Sequence, residues 1–574
     1  MLNWITNKIR QEGTDRGDHP LGSEDAIREF VDGLSASKPE TGLLDISEWL
    51  SEPAALSASL LAPAAIRAAM RLDEAGNERL AACWNGFLAE QRVDHLAEQK
   101  LKALEAFYQG RYAANLHCLR LVEQRPDLGG SNPAALTGLL SQRAINALVG
   151  RLRVMRIRYR APDAAWWSAV TDVLKFADKA GIINLKQRSY ADDAAPSSPW
   201  LELLVALFFE ISPLGNCRAQ QMELVLRVLR WLEPNFMVQD TYSPQSPFYV
   251  RLDWVTAPTK TIGAIAPDPK LVFFGPGMAY GRLVTLRAAL KNAPTLPDWL
   301  ESTHCTQDQA LAIIDALIMH WSERPPQRRH KRQQASGHLM VANGFANMRR
   351  VVAYSEFARS GRKVGYKSHL EMLKFERRGF ADAVQASADE EVRWQNATPL
   401  ETLKILETAG DRQMMDDWEL NDISETGLGA TSTFLKPWMV IGAYVAYRIE
   451  NEIDWQIGIL RRIHRTGSGH PSLGLEVFNE TPRCAQVRKL STAPDTDPWQ
   501  HLAQTHNQQA LEDAIVLSMS KNLLLIPTGL FASGTLMALI VGGSHFPIRL
   551  LKVAHHNVDC DYIQFEICEG NATP

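Results

Sequence analysis

No C-x-x-C pair occurs in the 574-residue chain, and its seven cysteines (Cys83, Cys118, Cys217, Cys305, Cys484, Cys560, Cys568) are odd in number and widely scattered. That distribution excludes a disulfide framework and a zinc ribbon, and a reducing cytoplasm is the expected setting. Neither sign of charge is in large excess: 61 Lys and Arg stand against 65 Asp and Glu, a formal net charge of -4. A chain so balanced has no overall attraction to DNA, RNA or anionic lipid, so polyanion binding requires a local patch. The opening residues, MLNWITNKIRQEG, have neither a sustained apolar core nor a small-residue cleavage site, which argues against a secretory signal. Also missing are a P-loop, a G-x-G-x-x-G after a strand, an H-E-x-x-H helix and a G-x-S-x-G elbow, so the expectation is a binding protein and not an enzyme. His555, His556, Asp559, Cys560 and Asp561 are close in sequence, but neighbours on a strand point to opposite faces, so no metal site is expected there.

What is present reads as a multidomain α+β protein. Residues 1–233 form an expected all-α domain: runs such as AALSASLLAPAAIRAAMRL carry apolar residues at three- and four-residue spacing. A connector with short strands and one helix is expected over 234–320, where Pro, Gly, Thr and aromatic residues rise. An antiparallel β-barrel is expected over 321–480, interrupted by a helical insertion at about 347–417, and a second barrel over 481–574. The two barrels match element by element, Gly442–Ala446 against Gly534–Ala538 and LGLEVF against YIQFEI. The charge-free apolar run from Leu523 to Gly543 is long enough to imitate a membrane helix. Its glycines and Pro527 fall at strand-like intervals, so it is read as buried strands, with no membrane span.

Two short motifs carry the chemistry. Arg328-Arg329-His330-Lys331-Arg332 is a basic loop with R-x-x-x-R spacing, followed by the strand candidate HLMVANGF. Alone, such a cluster is an ordinary solvated surface. Asp422-Ile423-Ser424-Glu425-Thr426-Gly427 is D-x-S-x-x-G, with Ile423 expected inward and Asp422 and Ser424 sharing the outer face. Alone, this hexapeptide is equally a strand end with an Asx or Ser turn.

Their order, arginine loop, strand, D-x-S-x-x-G turn and then three strands ending in GILRRIHR and LGLEVF, resembles the PilZ domain family over about Gln327 to Phe478. The resemblance implies a six-stranded barrel that binds cyclic di-GMP, a bacterial second messenger. It implies that the ligand is clamped by Arg328, Arg329 and Arg332 from the loop and by Asp422, Ser424 and Gly427 from the barrel. A guanidinium fork can bind the O6/N7 edge of guanine or a phosphate, and stack on a purine; a carboxylate can accept from guanine N1–H and N2–H. Two features depart from the family. About ninety residues separate the motifs here, much more than usual, which requires the helical insertion; loop-closure entropy grows slowly enough to tolerate it. Arg324 with Arg328 also satisfies R-x-x-x-R, and the pair Arg328 and Arg332 is preferred because it lies nearer the strand.

The second barrel lacks both motifs and is expected to be a degenerate copy that binds no nucleotide. The insertion carries Arg349, Arg350, Arg359, Arg362, Lys363, Lys367, Lys374, Arg377 and Arg378, then mostly acids from Asp389 to Asp417. It reads either as a solvated helix pair with internal ion pairs or as an extension of the electropositive field. The leading expectation is a cytoplasmic cyclic di-GMP receptor that transmits the signal by conformational change to a protein partner through the helical half. The alternative is a PilZ-like scaffold without ligand in motility, pilus or envelope machinery. Nucleic acid polymers are not expected as partners, because the acidic half of the insertion opposes them.

Overall fold

The computed structural model describes residues 21–568, apart from 22, 56–59, 91–94, 130–131, 194, 262, 264, 267, 323–330, 362–387, 410–414, 466–468, 479, 491–509 and 558. The chain divides into two compact units, Met1–Gln327 and Arg328–Pro574. The architecture is the expected one: a helical region, then two closed antiparallel barrels.

In the first unit the long helices Ala62–Leu88, His95–Gln124 and Pro133–Ile157 pack on one another around buried charge. Asp73 pairs with Arg111 and Arg143, and Tyr190 donates its hydroxyl proton to the same carboxylate at 3.0 Å. The Arg111 guanidinium lies 4.6 Å from the Phe107 ring centroid and 4.9 Å from that of Tyr190. A carboxylate buried among apolar helices is tolerable only with such partners. Strands β1 (Met237–Gln239), β2 (Phe248–Arg251), β3 (Thr259–Lys260) and β4 (Leu271–Gly275) form a sheet in the order β1-β4-β2-β3. The stretch read as a connector packs into the helices: Phe208 meets Phe236, Phe274 and Trp321, and the Val255 N–H donates to Thr171 Oγ1 at 3.0 Å.

The second unit holds the barrels. Strands β6 (His338–Asn343), β7 (Met415–Ser424), β8 (Gly427–Thr431), β9 (Tyr444–Ile449), β10 (Gln456–Arg465) and β11 (Pro471–Val477) run in the order β7-β6-β9-β10-β11-β8. Pairing of β7 with β8 closes the ring, and β5 (Gln333–Gln334) continues the β6 edge along β7. In the second barrel β12 (Arg483–Lys489), β13 (Glu512–Ser518), β14 (Leu523–Pro527), β15 (Leu536–Val541), β16 (Ser544–His556) and β17 (Cys560–Ile567) close as β12-β13-β14-β17-β16-β15. Counted from its own first strand, each barrel has the same cycle of neighbours, and the matched segments fall on β9 and β15 and on β11 and β17. The apolar run 523–543 supplies β14 and β15. Among the described residues no helix is long and apolar enough to cross a membrane.

The insertion, helices Phe345–Ser360, Ala388–Asn396 and Pro399–Ala409, leaves after β6; strand β7 already begins at Met415, inside the stretch read as insertion. These helices share one apolar core with the outer faces of both barrels, joining Trp394, Leu403 and Leu406 to Tyr444, Ile457 and Ile459 of the first and to Ile515, Leu517 and Leu525 of the second. Three ion pairs of the described part run to the barrels. Arg349 pairs with Asp513, Arg359 with Asp454, and buried Glu407 with buried Arg448. Arg448 donates to Glu407 through Nε at 3.0 Å and Nη2 at 2.7 Å, and Trp455 Nε1 donates to the same carboxylate at 2.9 Å.

Two outcomes follow for stability. Glu407→Ala leaves Arg448 buried without its counter-ion and should cost about 3–5 kcal/mol in urea unfolding of the second unit. In the first unit, burial together with repulsion from Glu202 pushes the Glu233 carboxyl up to about 7, against the pull of Arg230 and Ser197. Its folded pKa thus exceeds its unfolded one, so the native state holds the extra proton and loses stability as pH rises from about 4.5 to about 7. Melting of the first unit should fall more steeply over that interval in the wild type than in Glu233→Gln.

Candidate functional site

The site is built on the outer face of the first barrel, where β7 meets β8. Trp418 and Leu420 of β7 are buried, and strict alternation would place Asp422 inside with them. A bulge prevents this: Leu420 pairs with Ala430 and Asp422 with Gly429, leaving Asn421 as the extra residue. Asp422 and Ser424 therefore stand on the outer face, while Ile423 pairs with the buried Leu428. Asn421 is itself tied down, its Nδ2 donating to Thr431 Oγ1 at 2.8 Å.

The arginine loop reaches this point through backbone pairing. Gln333 and Gln334 lie opposite Ile423 and Asp422, and the Ala335 N–H donates to the Asn421 carbonyl at 3.0 Å. That stitching delivers the preceding residue, Arg332, to the carboxylate: its Nη1 donates to both oxygens of Asp422 at 2.9 Å each. Ninety positions apart in the chain, the two meet at a partly exposed surface. Of the other expected residues, Arg328 and Arg329 lie outside the described residues. Ser424 is in place, with its hydroxyl donating to the Gly427 carbonyl at 3.0 Å across the β7–β8 turn; a ligand acceptor would have to compete with that bond. Gly427 is needed for close approach, since a Cβ there would stand 2.6 Å from the Leu475 carbonyl oxygen of β11.

Gly429 is a residue the motif did not reveal. A Cβ at that position would lie 2.7 Å from both Asp422 carboxylate oxygens, so the carboxylate rests over a bare backbone. The G-L-G alternation 427–429 was the available signal, two glycines on one face of a strand. The second barrel keeps the backbone and changes the chemistry. It has a register shift between Val516 and Ser518, which puts Ser518 where Asp422 stands. Glu480, just ahead of β12, accepts from the hydroxyls of Ser518 and Ser520 at 2.7 Å each. An acid and hydroxyls thus replace the guanidinium and carboxylate.

Residues 25–244 match the family model described as cyclic-di-GMP receptor FimW, N-terminal domain. That family's name is that of a cyclic di-GMP receptor, and the match lies wholly within the first unit, whereas the Arg332–Asp422 pair lies in the second. No curated protein and no solved structure matches the chain.

The pair is open to a direct measurement. A double-mutant cycle of Arg332→Ala and Asp422→Ala in urea unfolding should return a coupling of about 0.2–1 kcal/mol, the range for a partly exposed ion pair. Repeated in a Gly429→Ala background, where the new methyl displaces the carboxylate, the coupling should fall toward zero.

Proposed function

We propose that this protein is a cyclic di-GMP receptor that binds the dinucleotide on the outer face of its first barrel and passes the signal to a protein partner. The observation that carries this reading is the convergence of Arg332 on Asp422, one residue from each of two motifs that together suit a guanine-bearing phosphodiester. The guanidinium supplies a fork for phosphate oxygens or a guanine edge, and the carboxylate accepts from guanine N1–H and N2–H. The match of the other unit to a cyclic di-GMP receptor family supports the same ligand independently. A receptor role of this kind calls for binding and release, not turnover.

In the free protein Arg332 and Asp422 satisfy each other, so the ligand must reshape that contact on entry. The consequence has a path outward. The β5 segment is paired to β7, β7 to β6, and β6 runs through Gly344 into the insertion helix Phe345–Ser360, which packs in the core shared with the second barrel. A ligand that prefers one arrangement of β5 would thereby bias the insertion and the second barrel, by no more than its difference in affinity for the two arrangements. The second barrel, with Ser518 and Glu480 at the corresponding place, takes no nucleotide in this reading.

Isothermal titration with cyclic di-GMP tests the proposal. Arg332→Ala and Asp422→Ala should each weaken binding about tenfold or more, the loss of roughly one charge-assisted hydrogen bond, while Ser518→Ala leaves affinity unchanged. Wild-type affinity in both first-barrel variants, or no heat from the wild type, would refute it.

A further inference from the structure

Asp422 belongs to a row of four paired positions that crosses the barrel. It pairs with Gly429 of β8, Gly429 with Gly474 of β11, and Gly474 with Arg462 of β10. A second bulge sets the far end: Leu460 pairs with Leu475 and Arg462 with Gly474, leaving Arg461 as the extra residue. Leu460, Leu475, Ile463 and Leu473 are all buried, so Arg462 and Gly474, between those two inward pairs, face outward like Asp422. The extra residue Arg461 donates through Nε to Glu476 at 2.7 Å.

The two glycines have the same effect at both ends. A Cβ on Gly429 would meet the Asp422 carboxylate at 2.7 Å; one on Gly474 would come within 3.1 Å of Arg462 Cβ and 3.5 Å of its Nε. The acid and the guanidinium therefore lie down over neighbouring bare backbone, at opposite ends of one line. Three strand spacings, about 14 Å, separate their backbones, and both side chains narrow that gap. The second barrel offers an internal comparison, because the same pairings there give Ser518, Leu523, Gln564 and Lys552. All four positions differ: the carboxylate becomes a hydroxyl, the glycine floor is filled by Leu and Gln, and the fork becomes a point charge. Barrel folding alone thus requires neither the glycines nor the arginine.

Resting on the cyclic di-GMP reading above, we propose that Arg462 is a specificity-determining residue that reads the O6/N7 edge of a guanine lying on the Gly429–Gly474 floor, with the N1–H and N2–H edge of that base turned to Asp422. Guanine carries two acceptors on one edge and two donors on another, which matches a fork at one end of the row and a carboxylate at the other. Adenine has an amino donor in place of O6 and no N1–H, so it opposes both ends. Lysine has no planar fork and cannot bind O6 and N7 together in the same way.

The experiment titrates wild type, Arg462→Ala, Arg462→Lys and Arg461→Ala with cyclic di-GMP and with cyclic di-AMP, after thermal melts establish that each variant is folded. Arg462→Ala should lose about tenfold or more in affinity for cyclic di-GMP and lose much of the preference over cyclic di-AMP. Arg462→Lys should recover little of it, and Arg461→Ala should bind as the wild type does. Unchanged cyclic di-GMP affinity in Arg462→Ala, or equal loss for both dinucleotides, would overturn this assignment. If Arg332→Ala and Asp422→Ala still weaken binding in that case, the receptor reading survives; a wild type that binds no cyclic di-GMP overturns both.

Discussion

The bulge at Asn421 governs the outer face of the first barrel, because one extra residue in β7 decides whether Asp422 points into an apolar barrel or out of it. Inside, next to Trp418 and Leu420, a carboxylate would lose its hydration. Outside, it lies over Gly429 and meets Arg332, which the pairing of Gln333 and Gln334 with β7 has carried to that spot. Bulges strengthen twist and re-aim side chains without breaking the sheet, which is how a closed barrel can present polar chemistry on a strand that also lines its core.

Comparison of the two barrels separates what the fold requires from what is particular to the outer face of the first. Both barrels have the same cycle of strands, and both have register shifts at corresponding places in their second and fifth strands. The interior of the second is filled by Val487, Leu524, Leu539 and Phe565, among others, with no need of a special surface. Its outer face carries Ile515, Leu517 and Leu525 into the core shared with the insertion. One copy has kept bare backbone and opposite charges on its outer row; the other has spent much of its outside on packing.

The insertion is the structural link between the copies. Its helices leave the first barrel between its first and second strands and bury Trp394, Leu403 and Leu406 against both barrels. The Glu407–Arg448 pair, held further by Trp455, fixes the docking of the last helix, since a buried charge tolerates few alternative positions for its partner. Charges that look in sequence like the polar face of a free helix pair are in part the contacts that hold the insertion in place. One continuous apolar core joins the two barrels through the insertion.

Periodicity and turn residues were enough to mark the helical half, both barrels, their duplication and the insertion, because apolar spacing of 3.6 and of 2 is a local property of the chain. The two motifs were legible for the same reason, each being a short run of residue types with strong chemical preferences. Four things were not legible: the exact start of β7 at Met415, the packing of 234–320 onto the helices, the role of Glu407, and the row joining Asp422 to Arg462. Each depends on which residues of distant segments stand opposite one another. In a closed barrel that register is set by strand pairing and by bulges, and a single-residue slip exchanges the inside for the outside. Sequence alone determined the elements and the chemistry available to them; only the tertiary structure decided which acid faces which guanidinium, because that choice is made by backbone hydrogen bonds between strands far apart in the chain.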